Sequence, residues 1–169
     1  MENTSGANKT FLWIAVGCLA VIVCILAVVL FGFGGLYWLG SQIPENVNVR
    51  VAAPTNAAVG DDVKIRISIT NTGSEAMELS SIDISLNYLN GFNITQVDPP
   101  YSDVSQYDSL GGGETFQTYS FYLNVEPGEV LTITFIGKAV LSGDFRGSID
   151  VCIDSDFNCA TSISRTLIE

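Results

Sequence analysis

The chain contains one long apolar run, followed by short segments in which apolar and polar residues alternate. The run spans Phe11–Leu39, a stretch of 29 residues without a charged or amide side chain. As a helix it would extend about 43 Å, which exceeds the ~30 Å hydrocarbon core of a bilayer. The run therefore predicts one tilted transmembrane helix.

The flanks of the run predict its orientation. Trp13 and Trp38 lie near its two ends, where aromatic rings settle at the headgroup level. A cleaved signal peptide, or a lipoprotein signal at Cys18, is the rival interpretation, but a signal has an apolar region of only ~7–15 residues. Because Lys9 precedes the run and the next basic residue is Arg50, the charge bias favours a cytoplasmic N-terminus and an outward C-terminal domain.

From residue 47 onward, the dominant pattern is an alternation of apolar and polar residues with a period of two. In Val63–Thr70 every second residue is apolar, and the turn residues Asn71–Ser74 end the segment. Similar patterns predict strands at Val47–Ala53, Ile82–Leu89, Phe92–Val97 (a short edge strand), Thr115–Val125, Val130–Leu141, Phe145–Ile153 and about Ala160–Leu167. No segment after residue 45 has a helical period of useful length. Seven or eight short strands with Gly-rich turns predict an antiparallel β-sandwich.

Three motifs carry a resemblance to a known group of domains. Val59–Gly73 resembles the B-strand signature of bacterial and archaeal immunoglobulin-like surface domains, in particular the CARDB-like adhesion modules. Glu126–Phe135 is similar to their Pro-Gly-Glu turn and following strand, and Gly143–Val151 to their G-x-[FY] strand. The resemblance covers most of residues 47–155 and implies an Ig-like fold, a role in packing or adhesion, and no catalytic residues. Asp98–Glu114 and the Cys-bearing hairpin depart from the pattern, so binding faces do not carry over.

These patterns divide the chain into four parts. Residues 1–10 form a short cytoplasmic tail, 11–39 the transmembrane helix, 40–46 a short connection, and 47–169 an extracytoplasmic Ig-like β-sandwich. The predicted fold class is mainly β, with one N-terminal helix.

Composition excludes several functional classes. The chain has 7 Lys and Arg against 18 Asp and Glu, a net charge of −11, so it lacks the basic balance that nucleic-acid binding needs. It contains no His, the commonest general base and metal ligand. No nucleophile, phosphate-binding Gly loop or cofactor motif converges in the sequence. We therefore predict a protein that is not an enzyme and carries no cofactor.

Acidic residues concentrate in one part of the predicted sandwich. Between Arg66 and Lys138 there are nine acidic residues and no basic one. The long segment before the Thr115 strand combines carboxylates with tyrosines, and its candidate partner-binding residues are Asp98, Tyr101, Asp103, Tyr107, Asp108 and Glu114. Such a surface suits a basic protein partner. The alternative is a solvated face that only opposes aggregation.

Two cysteines near the C-terminus predict a disulfide. Cys152 and Cys159 flank a short loop, so two strands joined by it would place the thiols opposite one another. An outward domain is the compartment where such a bond persists, and the alternative is two reduced thiols. The loop Asp154–Asn158 imitates half of a calcium loop but lacks its Gly and its terminal Glu.

Small residues form a seam along the apolar run. The predicted helix-packing residues are Gly17, Ala20, Cys24, Ala27 and Gly34. This spacing lets another membrane helix approach closely, and the alternative is a seam that faces lipid.

Two functional hypotheses are consistent with these features. The first is a non-catalytic accessory subunit of a larger membrane complex, for which a respiratory or photosynthetic electron-transfer assembly is one class of host. Its helix would contact lipid and other integral membrane subunits, and its sandwich would brace their outer face. The second is a membrane-anchored cell-surface adhesion or filament module.

Overall fold

The computed structural model describes residues 19, 21–32, 44–109 and 113–169. The chain forms two compact units, residues 1–41 and 42–169. The first contains helix α1 (residues 21–32), whose side chains are exposed except for the half-buried Ala27. Within these described ranges, no helix is both long and apolar enough to cross a membrane. Residues 11–18, 20 and 33–39 of the predicted span lie outside the described residues.

The second unit is a sandwich of two sheets. In chain order its elements are β1 (Val47–Ala52), β2 (Asn56–Ala57), β3 (Asp62–Asn71), β4 (Met77–Ser85), α2 (Leu86–Leu89), β5 (Phe92–Asp98), β6 (Asp103–Asp108), β7 (Thr115–Val125), β8 (Val130–Ala139), β9 (Gly143–Ile153) and β10 (Cys159–Ile168). One sheet has the strand order β1-β3-β8-β5, and the other β2-β10-β9-β4-β7-β6.

The strand order confirms an Ig-like sandwich. The four-stranded sheet has the A-B-E-D arrangement of immunoglobulin domains, and β4, β9 and β10 have the C-F-G arrangement. The β6–β7 hairpin extends the second sheet. All pairs are antiparallel except β2 with β10, which are parallel, so the sandwich is mixed rather than purely antiparallel. It also has more strands than the seven or eight predicted, because β2 and β6 were not recognised in the sequence.

Alternating apolar residues form the core between the sheets. Ile65, Ile67 and Ile69 of β3 are fully buried, as the period-2 pattern predicts. The rings of Tyr119 and Phe135 meet edge to face at 4.9 Å. This one core lies wholly within the second unit, since its buried members run from Val63 to Ile168.

Two predicted segments differ from the structure. The predicted strand Ile82–Leu89 ends at Ser85, and α2 follows it as one helical turn. In α2, Tyr88 is fully buried, its hydroxyl lies 3.0 Å from the Thr166 hydroxyl, and its ring packs at 5.2 Å against Phe92. These tertiary contacts override the apolar alternation that suggested a longer strand.

The predicted long loop between Asp98 and Glu114 contains strand β6. This strand pairs with β7 from Asp103 opposite Ser120 to Asp108 opposite Thr115. All six of its residues are exposed, so it lacks the alternation by which strands are recognised. The predicted edge strand, in contrast, is confirmed as β5, which pairs only with β8.

We predict that Gly137→Ala destabilises the sandwich, because β5 and β8 approach closely at this residue. A Cβ atom there would lie 2.2 Å from the Asn93 carbonyl oxygen, so the backbone must shift. Urea unfolding should show a loss of about 1–3 kcal/mol in the free energy of unfolding. Gly113→Ala is the control, since a Cβ there meets nothing within 4 Å. Equal stability of the two variants would contradict the close approach.

Candidate interaction face

The outer side of the six-stranded sheet carries one buried and two half-buried carboxyl groups, those of Asp83, Asp150 and Glu114. On β4, Asp83 lies between Ile82 and Ile84, which point into the core, so its own side chain points outward. The register places Asp83 opposite Thr118 on β7 and opposite Asp150 on β9. We call the surface formed by Asp83, Asp150, Tyr107 and Glu114 the acidic face.

The Asp83 carboxyl group is desolvated and incompletely bonded. Its side chain belongs to a residue only 4% exposed. The Tyr107 hydroxyl donates a hydrogen bond to Asp83 Oδ2 at 3.2 Å. Four buried oxygens nearby have no hydrogen-bond partner among the described residues: Asp83 Oδ1, Asp150 Oδ1, Ser81 Oγ and Thr118 Oγ1. A buried acceptor without a donor costs free energy, so these oxygens disfavour the ionised form of the two carboxyl groups.

Burial and like charge raise the pKa values of both aspartates. Burial is the main cause for Asp83; the neighbouring hydroxyls of Thr118, Tyr107 and Ser81 lower its pKa in part, and the Asp150 charge raises it. Burial also raises the pKa of Asp150, with the Glu114 charge adding to the effect. The hydroxyls of Ser81 and Thr118 stand near the carboxyl group but outside hydrogen-bonding geometry, so their compensation is incomplete.

Tyr107 and Glu114 cover the aspartates from the β6–β7 side. The Tyr107 ring stacks on Phe116 with centroids 5.3 Å apart and an interplanar angle of 12°. Burial, and then the Asp83 charge, raise the pKa of Tyr107, so its hydroxyl stays protonated and remains a donor. The Ser85 hydroxyl donates a hydrogen bond to Glu114.

The six predicted partner-binding residues do not form a single site. Tyr107 and Glu114 belong to the acidic face, and Asp103 and Asp108 are exposed at the two ends of β6. Tyr101 packs edge-on against Tyr119 at 5.3 Å. Asp98 ends β5 and therefore belongs to the other sheet.

Asp83 and Asp150 were missed in the sequence, although they are the centre of this face. Asp is disfavoured inside strands, so an aspartate flanked by isoleucines in a strand-like pattern is a signal that could have identified Asp83. Their mutual contact depends on the register between β4 and β9, which the sequence does not reveal.

The predicted disulfide is confirmed. Cys152 and Cys159 are directly paired residues of β9 and β10 and are covalently joined. Asp83 Oδ2 lies 3.7 Å from Cys152 Sγ, and since a disulfide sulfur carries no proton, this contact is not a hydrogen bond. In the loop between the two cysteines, Asp154 Oδ1 accepts a hydrogen bond from the backbone N–H of Glu78 at 2.7 Å. No group of three or more Cys, His or acidic residues within the described residues could hold a metal ion.

Only part of the predicted helix seam can be placed. Cys24 is exposed on α1 and has a free thiol, and Ala27 is half-buried. Gly17, Ala20 and Gly34 lie outside the described residues.

Comparison with known proteins identifies a fold and no family. No protein-family model and no curated protein matches the chain. Among solved structures, AvmM, which catalyses macrocyclization in alchivemycin A biosynthesis, is similar at 9% identity over 75% of this chain and 90% of that chain, with a TM-score of 0.51. A cohesin module from a Clostridium perfringens family 33 glycoside hydrolase has 12% identity, coverage of 75% and 98%, and a TM-score of 0.42. A CARDB domain from Pyrococcus furiosus has 15% identity, coverage of 76% and 97%, and a TM-score of 0.39. Likeness at these identities concerns the fold alone.

We predict that Asp83→Asn stabilises the domain at neutral pH. Because the folded-state pKa of Asp83 is raised, the ionised carboxylate penalises the folded state above that pKa, and the penalty fades as the pH falls through it. Urea unfolding at about pH 7 should show a gain of about 1–2 kcal/mol, shrinking at about pH 4. Asp103→Asn, an exposed change on the same sheet, should have little effect. A loss of stability in Asp83→Asn at neutral pH would contradict the desolvation.

We also predict that removing the disulfide destabilises the sandwich. Cys152→Ala with Cys159→Ala frees a loop with a sequence separation of 7 in the unfolded chain. The free energy of unfolding should fall by about 2 kcal/mol in the entropic model. Cys24→Ala serves as the control, because this free thiol lies in the other unit. Unchanged stability of the double variant would show that the bond does not constrain the unfolded chain.

Proposed function

We propose that this protein is a non-catalytic accessory subunit of a larger membrane complex. A single helix would anchor it, and its Ig-like sandwich would brace the outer face of neighbouring subunits. The observation that carries the proposal is the acidic face, where Asp83 lies beside Asp150 and the half-buried Asp150 and Glu114 keep part of their carboxylate surface accessible. Arg or Lys side chains of a partner would pair with these accessible carboxylates.

Helix α1 supports the anchor. All of its residues are apolar, and they are exposed around the whole circumference apart from the half-buried Ala27. A helix that is apolar on every side needs lipid or other protein around it. The apolar sequence continues on both sides of α1, from Phe11 to Leu39. We therefore propose lipid and the helices of other integral membrane subunits as its surroundings.

The disulfide supports an outward location of the sandwich. Disulfides persist in oxidising compartments, and the Lys9 flank favours a cytoplasmic N-terminus. The proposed location is thus the cell membrane, with the C-terminal domain periplasmic or extracellular.

A non-catalytic role fits the geometry of the acidic face. Asp83 and Asp150 lie side by side on a sheet surface beneath Tyr107, rather than across a cleft that could hold a substrate. A respiratory or photosynthetic electron-transfer assembly is one class of host, in which this chain would brace other subunits and carry no electrons itself.

An adhesion or filament module is the second candidate, and strand β6 favours it. In the described part of the chain this strand pairs with β7 alone, and all six of its residues are exposed. Its free edge offers backbone donors and acceptors to a strand of another chain.

We predict that the full chain, tagged after Glu169 and purified in mild detergent, is recovered together with other membrane proteins. Asp103→Asn with Glu114→Gln removes one carboxylate of the acidic face and one beside it, since Asp103 lies on the same side of β6 as Tyr107. This double variant should reduce the retained basic partner roughly tenfold, because charge complementarity is lost. Co-migrating chains would be identified and quantified by mass spectrometry.

The control variant removes the same charge elsewhere. Glu75→Gln with Glu126→Gln changes two exposed carboxylates away from the acidic face and should leave recovery unchanged. Isolation of a lone monomer would overturn the subunit proposal. Isolation of regular polymers of this chain alone would favour the filament module.

A further inference from the structure

The outer side of the four-stranded sheet carries the opposite charge from the acidic face. Its outward positions on β1, β3 and β8 hold Arg50, Lys64, Arg66 and Lys138, all exposed. We call this surface the basic face. It stands out in a chain of net charge −11, because it holds four of the 7 basic residues.

Strand register brings three of these cations close together. Arg50 pairs with Ser68, so Arg66 is its diagonal neighbour on β3, at about 7–8 Å. Lys64 follows on the same side of β3, two residues and roughly 7 Å from Arg66. The basic face thus presents a row of three cations with regular spacing.

These three cations have no ion-pair partner among the described residues. The two ion pairs found there join Lys138 to Asp62 at 2.7 Å and Arg165 to Asp144 at 2.7 Å. Two carboxylates lie on this side of the sheet: Asp98 at the end of β5 opposite Thr134, and Asp62, whose pKa the hydrogen bond and charge of Lys138, and then the charge of Lys64, lower. The four cations still outnumber them. The electrostatic potential around Arg50, Lys64 and Arg66 is therefore locally positive. At physiological salt, charges further apart than about 10 Å are largely screened, so the acidic face on the other side of the sandwich does little to reduce this potential.

A shallow groove beside Arg50 offers uncharged hydrogen-bond donors next to the three cations. It has a volume of about 330 Å³ and is lined by Asn48, Arg50, Ser68, Thr70, Thr72 and Val130. Hydroxyl, amide and guanidinium groups together match the several acceptor oxygens of a phosphate group, which a guanidinium binds through two parallel hydrogen bonds. The groove lies along an open sheet surface, so it suits a group presented on another surface better than an enclosed free ligand.

We propose that the basic face binds the phosphate headgroups of anionic phospholipids. Each contact would be weak, and the row of cations would engage several headgroups at once. The choice of lipid as the carrier of the phosphate rests on the proposed membrane anchor: β1 begins eight residues after Leu39, a stretch of chain that spans at most about 28 Å.

Vesicle binding by residues 44–169 tests this proposal without the anchor. This fragment retains every residue of the core, from Val47 to Ile168, and circular dichroism with urea unfolding would verify its fold. We expect it to sediment with vesicles containing about a third phosphatidylglycerol and to remain in solution with pure phosphatidylcholine. Arg50→Gln with Arg66→Gln should weaken the partition coefficient roughly 30-fold.

A matched variant separates a specific face from net charge. Arg146→Gln with Arg165→Gln removes the same charge from the other sheet and should change binding by no more than about twofold. Equal losses in both double variants, or equal binding to neutral vesicles, would overturn the proposal.

A second arm distinguishes the source of the phosphate. Inorganic phosphate would be titrated into the fragment while the amide NMR shifts of Ser68 and Thr70 are followed. Saturable shifts in a fragment that does not bind vesicles would show that the site takes free phosphate, and would also overturn the proposal. Because the fragment lacks residues 11–39, failure of the proposed anchor would leave these results unaffected.

Discussion

The burial of the Asp83 carboxyl group on the outer side of β4 is the constraint on which the acidic face depends. Strand β4 is held between β7 and β9, and Ile82 and Ile84 anchor it in the core. A slip of one residue would expose both isoleucines and turn Asp83 into the core, so the register is fixed. The same register places Asp83 beside Asp150 and beneath Tyr107. A desolvated pair of like charges is therefore maintained by the packing of its neighbours.

The sandwich also separates charge between its two outer sides. The carboxylates of the acidic face lie on the six-stranded sheet, while Arg50, Lys64 and Arg66 lie on the four-stranded sheet and outnumber its outward Asp62 and Asp98 once Lys138 is included. An interaction through one side leaves the other free, because the core and the two sheets lie between them. A subunit that sits between a lipid surface and a basic protein partner would use both sides at once.

The strands that bury one side in the core could be predicted from the sequence, because burial imposes an alternating pattern. The elements that depend on contacts with distant residues could not. The alternation at Val63–Thr70 reports a strand with one side in the core, and β3 confirms it. The exposed strand β6 has no such alternation, and α2 is fixed by contacts of Tyr88 with distant residues. The disulfide was predictable because a short loop joins its cysteines. The pairing of Asp83 with Asp150 was not, because strand register emerges only from the folded sheet.

The most direct test of the acidic face is a carboxyl-carbon NMR titration of Asp83 in residues 44–169. We expect the pKa of Asp83 to lie above the ordinary value for aspartate, mainly because of burial, with the pKa of Asp150 shifted in the same direction. Asp150→Asn should lower the pKa of Asp83, since a like charge is removed. A pKa of Asp83 at or below the ordinary value would show a solvated or already satisfied carboxylate, and would contradict the desolvation on which this description of the acidic face rests.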